Sequence, residues 1–239
     1  MESRILKMPG RYTITAKSDD IKKRFNVEVP ENYHAHFNAA PTQLLPVITS
    51  LQPAYLNFFY WGFIPNWSKN KALATKLFNA RADSLQDKIS FREALTTRRC
   101  IIPADGYYEW KSIGKKSKIP YRFTLNSGGL FSLAGLWESS ENDNGEEIQT
   151  FTVITTDANS IVAQIHDRMP VILTQETEKI WLNPTSDLNA LKSVLVPFKA
   201  NLMTSYAVSS KVNNVANDGP DLIKPAPPAD QFGNYSLFD

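Results

Sequence analysis

Three stretches in the middle of the chain have the pattern of β-strands. Residues 119–125, 130–137 and 149–155 are rich in β-branched and aromatic side chains, which favour an extended backbone. The polar, glycine-containing segment 126–129 separates the first two stretches, and segment 142–145 separates the second from the third. Because asparagine, serine and glycine favour turns, this pattern predicts strands that are joined by short connections.

Shorter stretches have the pattern of helices. Residues 90–93 form a capping-box sequence, Ser-x-x-Glu, which predicts a helix that opens there and runs towards Arg98. Residues 69–78 are rich in lysine, alanine and leucine, which favour a second helix. Residues 159–165 are predicted to form a short helix that leads to His166. Since strands occur throughout and neither a repeat nor a long linker is visible, one α+β domain is the better interpretation.

Composition narrows the class of protein. The chain of 239 residues is 42% hydrophobic and carries a net charge of +2, so it is globular and has no strong overall field. A single cysteine excludes an internal disulfide and any cysteine-cluster metal site, and it favours a reducing compartment. Residues 1–12 lack the apolar core of a secretory signal, and the most apolar stretch, 55–65, is too short to span a membrane. We therefore expect a cytoplasmic protein with no membrane association, cofactor or metal.

The small net charge conceals a local pattern. Basic residues cluster in segments 4–24, 69–81 and 111–122, whereas acidic residues cluster in segment 138–147. Each basic run alone is typical of solvated loops. Together with the acidic block they favour a two-faced surface whose basic side suits a polyanion.

Glu109 is the first candidate for proton transfer. It lies in Asp105-Gly106-Tyr107-Tyr108-Glu109-Trp110, between aromatic residues and after an apolar segment. In a half-buried strand, desolvation would raise the pKa of this carboxyl group towards that of a useful acid or base. A carboxylate paired with a nearby lysine or arginine is an equally good interpretation, and Asp105 is better interpreted as a turn residue.

His166 is the second candidate, because it lies in a polar trio between a predicted helix and the apolar residues 171–173. A lone histidine is more often structural than catalytic. His34 and His36 alternate along the chain but lack a third metal ligand, so we expect them on the surface of a strand or loop.

Other residues suit the binding of nucleic acid. Asn79 and Arg81 would share one face of an extended segment and could hold a phosphate or sugar oxygen, or they could belong to an ordinary surface loop. Trp61 and Trp67 lie beside a basic run, a combination that suits stacking of single-stranded bases, although such tryptophans are more often core residues. Cys100 has apolar neighbours and is better interpreted as a buried hydrophobic residue than as a nucleophile.

Together these segments resemble the SOS response-associated peptidase (SRAP) family, whose members form covalent links to abasic sites in single-stranded DNA. The resemblance extends over residues 8–221 and implies a single α+β domain built on a curved, barrel-like mixed β-sheet with short peripheral helices. It would leave residues 1–7 as an N-terminal extension and residues 222–239 as an extended proline-rich tail. It rests on these segments: Gly10-Arg11-Tyr12, Ala40-Pro41-Thr42, residues 61–67, Asn79-Ala80-Arg81-Ala82, residues 99–110, residues 134–138, residues 155–159, residues 165–170 and Val208-Ser209.

The resemblance also implies roles for individual residues. Asn79 would orient the N-terminal group, Glu109 would shuttle protons during attack on the aldehyde, and His166 would assist opening of the sugar ring. The same groups would remove any residues that precede the N-terminal nucleophile. The positions that would contact single-stranded DNA are Arg11, Pro41, Trp67, Arg81 and Arg168.

The sequence departs from the family at the nucleophile. The family pattern Met-Cys-Gly-Arg reads here as Met8-Pro9-Gly10-Arg11, so the thiol needed for a stable thiazolidine is missing. Cys100 has no α-amine beside it and cannot replace that thiol.

The resemblance therefore implies an SRAP-like DNA damage response protein that binds single-stranded DNA at abasic sites, with Pro9 in place of the usual nucleophile. Three more specific functions remain open at this point. The chain could be a single-stranded DNA-binding module without catalysis, or an abasic-site lyase that uses the Pro9 amine after N-terminal processing. An ordinary peptidase acting on other proteins ranks last, because no nucleophile–histidine pattern is evident. We expect single-stranded DNA with abasic sites as the partner, and a monomer by default.

Overall fold

The computed structural model describes residues 10–68, 76–114, 117–141 and 144–234. Within these ranges four short α-helices surround the strands: α1 Ser18–Phe25, α2 Ile89–Thr97, α3 Gln175–Leu182 and α4 Leu188–Ser193. The strands are β1 Tyr12–Ile14, β2 His36–Ala39, β3 Leu44–Thr49, β4 Asn57–Trp61, β5 Asn79–Arg81, β6 Arg99–Ala104, β7 Gly106–Ile113, β8 Ser117–Leu125, β9 Phe131–Glu141, β10 Glu147–Asp157, β11 Arg168–Pro170, β12 Ile172–Leu173 and β13 Met203–Ala207.

Five of these strands close into a barrel. Their order is β10-β4-β3-β6-β9, and β9 pairs again with β10. Strands β4 and β10 run parallel, with Tyr60 opposite Thr150, whereas the other neighbours run antiparallel. The predicted α+β domain on a curved, barrel-like mixed sheet is therefore confirmed.

A second sheet of five antiparallel strands has the order β13-β8-β7-β1-β2. Strand β7 follows β6 after a bend at Asp105, so the chain passes directly from the barrel into the second sheet. Alternate side chains of β7 serve two cores: Tyr107 packs in the main core, and Tyr108 packs in a smaller cluster with Val208 and Val212. This alternation determines which residues of β7 share a face.

The barrel interior is filled by large aromatic and branched side chains. The rings of Trp61 and Phe151 stack with centroids 6.1 Å apart, and the Trp61 indole N–H donates to the Phe78 carbonyl at 2.7 Å. At Gly135 a Cβ atom would approach the Ile102 side chain to 2.5 Å, so β9 packs closely because this residue has no side chain. Trp61 is thus a core residue and does not provide a stacking surface.

The strand predictions over 119–125, 130–137 and 149–155 are confirmed by β8, β9 and β10. The helix predicted to open at residues 90–93 and to run towards Arg98 is confirmed by α2, but its predicted capping box is wrong, because α2 begins at Ile89 after Lys88 and has no side-chain cap. The capping box that the structure does contain lies at Thr174 and Thr177, at the start of α3.

The other local predictions have mixed outcomes. The short helix before His166 is a 3₁₀ turn over Val162–Gln164, and most of the helix predicted over 69–78 lies outside the described residues. In the C-terminal segment, Pro220–Ile223 form a 3₁₀ turn, Pro225 bridges to Val208, and Asp230 is buried. None of the helices in the described ranges is long and apolar enough to cross a bilayer.

Candidate functional site

Glu109 lies beside the first described residues of the chain. Strand β1 pairs with β7 so that Tyr12 faces Tyr107, and the Tyr108 N–H donates to the Arg11 carbonyl at 3.0 Å. Continuing this register brings Gly10 level with Glu109. The sheet therefore places Gly10, the first described residue, beside the backbone of Glu109.

The Glu109 side chain is buried, and no lysine or arginine in the described part of the chain forms an ion pair with it. The residue is 3% exposed, and its Oε1 atom accepts no hydrogen bond from the described residues. Burial raises the pKa of Glu109 to about 8, against smaller opposing effects of the Trp110 N–H and the Lys118 charge. The direction of this shift agrees with the predicted upward shift of the Glu109 pKa, and it favours the protonated carboxyl group.

His166 is the neighbour of Glu109 across the two sheets. Its Nδ1 atom lies 3.9 Å from Glu109 Oε1 and 3.2 Å from Asp167 Oδ1. The same Nδ1 lies 3.0 Å from the backbone nitrogen of Arg168 and 3.2 Å from the Arg168 carbonyl oxygen. The side chain is 15% exposed, so the imidazole borders both the buried carboxyl group and solvent. The two candidates for proton transfer therefore lie together.

Asn79 and Arg81 both belong to β5, which pairs in parallel with β10. Asn79 is 5% exposed, whereas the Arg81 side chain is 52% exposed. The strand thus directs the amide into the protein and keeps the guanidinium accessible to a ligand.

Arg81 and Arg168 are linked by carboxylates that the sequence interpretation missed. Arg81 donates to Asp83 from Nη2 at 2.7 Å and from Nε at 3.2 Å. Arg168 Nη1 lies 2.5 Å from Asp157 Oδ1 and 3.8 Å from Asp83 Oδ2. The sequence signal for this network is the position of Asp83, two residues after Arg81. Asp157 ends β10, and no local pattern indicates its contact with Arg168.

Arg168 and Arg11 are less available than the family resemblance implies. The Arg168 side chain is 8% exposed and also donates to the Thr155 carbonyl at 2.7 Å. Arg11 donates to the Asn38 side chain and the Val212 carbonyl, both at 2.8 Å. Each guanidinium is already bound to protein groups.

Arg11 also lies on the other side of the sheet from the candidate site. Its guanidinium sits 5.9 Å from the centre of the Trp110 ring, and Trp110 faces away from the core that Tyr107 and Glu109 face. Burial lowers the pKa of Arg11. The structure therefore does not bring Arg11 to the face of Glu109.

Pro41 and Trp67 occupy turns. Pro41 is half-buried in the turn between β2 and β3, where Thr42 has a φ of 73°. Trp67 is 60% exposed, which leaves its indole plane open to solvent. Of the two tryptophans considered for stacking, only Trp67 has an accessible ring.

The remaining candidates have clear placements. Cys100 is fully buried, and burial raises the pKa of its thiol, so its interpretation as a core residue is confirmed. His36 is 7% exposed, which corrects the expectation of a surface position, because its ring packs beside His34 and Asp218. Pro9 lies outside the described residues.

Asp105 does more than form the predicted turn. Its carboxylate accepts hydrogen bonds from the Thr13 hydroxyl at 2.5 Å and from the Thr15 N–H at 2.5 Å. The buried Arg122 donates to it at 2.9 Å and to the Tyr206 hydroxyl at 2.8 Å. This group of side chains, which the sequence interpretation missed, ties β1 to the bend between β6 and β7.

Comparisons with known proteins agree with one another. Residues 8–215 match the model of the family described as SOS response associated peptidase (SRAP). The abasic site processing protein YoqW of Bacillus subtilis is 46% identical over 222 residues, which are 91% of this chain and 99% of that protein. The abasic site processing protein HMCES of Xenopus tropicalis is 29% identical over 266 residues, which are 90% of this chain and 78% of that protein.

Solved structures give the same result. A crystal structure of a protein from Bacteroides thetaiotaomicron superimposes with a TM-score of 0.82 at 32% identity and covers 90% of this chain and 99% of its own. One from Bordetella bronchiseptica has a TM-score of 0.74 at 28% identity and covers 84% of this chain and 99% of its own. On the family match, these relatives and the shared barrel, the chain belongs to the SOS response associated peptidase (SRAP) family.

Proposed function

We propose that this chain acts at abasic sites in single-stranded DNA, with Glu109 and His166 as its proton-transfer pair. The observation that carries the proposal is a buried carboxyl group with a pKa of about 8, whose oxygen lies 3.9 Å from an imidazole nitrogen. A titratable pair of this kind suits acid–base chemistry near neutral pH. Relatives that are named abasic site processing proteins supply the class of substrate.

The chemistry follows from the aldehyde of an opened abasic sugar. A nucleophilic amine adds to C1′, and the aldehyde oxygen leaves as water after it has received protons. A protonated Glu109 can donate one of those protons, because burial raises its pKa to about 8. His166 borders the same space and can exchange a proton with the ring oxygen when the sugar opens or closes.

Position 9 determines which product can form. Proline has no thiol, so the thiazolidine of the family cannot form, and the fully buried Cys100 does not provide a substitute. If Pro9 becomes the N-terminal residue, its secondary amine can form an iminium ion at C1′ with loss of water. Loss of a proton from C2′ then expels the 3′ phosphate, and hydrolysis of the iminium releases the amine.

The DNA contacts divide into two groups. Arg81 and Trp67 are accessible, so Arg81 can bind a phosphate and Trp67 can stack on a base. Pro41, which the family resemblance also assigns to DNA contact, is half-buried in the turn between β2 and β3. Arg11 and Arg168 are bound to protein groups, so we assign them to holding the loops and strands around the site.

Borohydride trapping tests the lyase form of the proposal. The full 239-residue chain and a form that begins at Pro9, with N-termini verified by intact mass, are each incubated with an abasic and an intact oligonucleotide. We expect a covalent adduct only from the Pro9-terminal form and only on the abasic strand. No adduct from that form would overturn the lyase, and retained binding of the abasic strand would then favour a binding module.

Glu109→Gln tests the proton-transfer role. We expect this variant to slow adduct formation about 10²-fold, while its affinity for intact single-stranded DNA stays within about twofold. Glu141→Gln is the matched control, because Glu141 is exposed at the end of β9. Equal rates for the two variants would contradict the role assigned to Glu109.

A further inference from the structure

A carboxylate occupies the space between two arginines at the edge of the candidate site. Asp83 Oδ2 lies 2.7 Å from Arg81 Nη2 and 3.8 Å from Arg168 Nη1, and Asp83 Oδ1 lies 3.2 Å from Arg81 Nε. The two arginines belong to β5 and β11, which both pair with β10. Asp83 is therefore placed between the arginines by the folded sheet as well as by its closeness to Arg81 in sequence.

The three side chains differ in how firmly they are held. Arg168 is 8% exposed and is fixed by Asp157 Oδ1 at 2.5 Å and the Thr155 carbonyl at 2.7 Å. Arg81 and Asp83 are each 52% exposed, and an ion pair with this exposure contributes little to stability. The Asp83 carboxylate can therefore leave Arg81 at small cost, while Arg168 stays in place.

The contacts made by Asp83 are those that a phosphodiester would make. A guanidinium binds carboxylate and phosphate oxygens through the same pair of N–H groups. The Arg81 fork is directed at a single anion, with the Arg168 charge behind it. A DNA phosphate at this place would need the donors that Asp83 occupies, and it would be repelled by the Asp83 charge.

We propose that Asp83 is an internal competitor of DNA, whose carboxylate occupies the phosphate position at Arg81 and must leave before a strand binds there. The inference rests on the proposed action on single-stranded DNA and adds a residue that sets the strength of that binding. This competition weakens the binding of damaged and undamaged strands alike. Tight binding then requires additional contacts, which an abasic site can make beside Glu109 and His166.

The opposite role makes the opposite prediction. If Asp83 only held Arg81 in the orientation that a phosphate needs, removal of its charge would weaken binding of DNA. If Asp83 only added negative charge to the surface, any nearby carboxylate would have the same effect. The sign and the location of the effect therefore separate the three roles.

The experiment measures binding of the full chain to a fluorescein-labelled oligothymidine strand by anisotropy at low ionic strength. The variants are Asp83→Asn, Arg81→Gln and the double variant, with Asp87→Asn as the matched control. Asp87 is exposed a few residues further along the same segment, and the structure gives its side chain no ion pair or hydrogen bond within the described residues. We expect Asp83→Asn to bind two- to fivefold more tightly than Asp87→Asn, as for an exposed ion pair of about 1 kcal/mol or less.

The double variant localises the effect. In the Arg81→Gln background the Asp83→Asn change should give no gain, because the competition is for the Arg81 donors. Weaker binding by Asp83→Asn, a gain equal to that of Asp87→Asn, or a gain that persists without Arg81 would each overturn the inference. No binding by the unaltered chain or any variant would overturn the proposed function and this inference together.

Discussion

Glu109 couples the candidate site to the stability of the fold. Burial raises its pKa from an ordinary 4.5 to about 8, so between these values the folded chain holds a proton that the unfolded chain has released. Because the folded state then binds more protons, its free energy of unfolding falls as the pH rises from about 4.5 to about 8, and this contribution is constant above that. Glu109→Gln removes the titration. We expect the stability of this variant relative to the unaltered chain to rise across this range, by at most about 4 kcal/mol.

Urea unfolding at pH 4, 6 and 8 measures this difference. Glu141→Gln serves as the control, since Glu141 is exposed at the end of β9 and Glu109 is buried. Parallel stability curves for Glu109→Gln and the unaltered chain would contradict the pKa assigned to the buried carboxyl group.

Single residues also show where sequence interpretation succeeds. The burial of Glu109 could be predicted because aromatic neighbours in its own strand indicate a half-buried environment. The internal pairing of Arg11 could not, because one of its partners, Val212, is 201 residues away in sequence. An arginine that is bound by distant carbonyls and one that is free for DNA have the same local sequence.

At the scale of elements, Asp105 joins β1 to the bend between β6 and β7. Its carboxylate binds Thr13 and Thr15 of the N-terminal segment, and Arg122 donates to it from β8. The side chains of Asp105 and Arg122 are 11% and 8% exposed, so loss of the charge would leave a buried guanidinium without its counter-ion. We expect Asp105→Asn to lower the free energy of unfolding by about 3 kcal/mol.

Chemical unfolding of Asp105→Asn beside Asp87→Asn checks this effect. The two variants remove the same charge, but Asp87 lies in an exposed position. Equal midpoints for the two variants would mean that the carboxylate does not hold β1. Because β1 leads to Glu109, we also expect Asp105→Asn to slow the chemistry at abasic sites more than Asp87→Asn does.

The elements that could be predicted are those with a strong local pattern. Strands β8, β9 and β10 span 9 to 11 residues and are rich in β-branched and aromatic side chains. Strands β5, β11 and β12 have only 2 or 3 residues and exist because they pair with β9 or β10. The capping box at Ser90 failed because the helix starts at Ile89, which places Ser90 within the first turn.

The whole molecule brings the candidate site together from two sheets. Glu109 belongs to β7 of the five-stranded sheet, whereas His166 precedes β11 on the barrel sheet. Local patterns predicted each residue as a candidate, but no local pattern predicts the 3.9 Å between them. The resemblance to the SRAP family implied that the two residues act together, because it assigns both of them to the same chemistry on a barrel-like sheet.

In the folded protein, some arginines of the basic runs are paired with carboxylates. This pairing affects how the binding of DNA should depend on salt concentration. Arg24 is paired with Glu178 at 2.5 Å and Arg122 with Asp105 at 2.9 Å, so these cations cannot each neutralise a phosphate. Arg81 is also paired, with Asp83, but this pair is exposed and can open, so a single-stranded ligand that Arg81 contacts would release about 0.7 of a counter-ion there. We expect the slope of log K against log salt to become shallower by about 0.7 in Arg81→Gln. Lys179→Gln, on a helix that packs against β6 and β12, should leave the slope unchanged, and equal slopes for both variants would place the DNA away from Arg81.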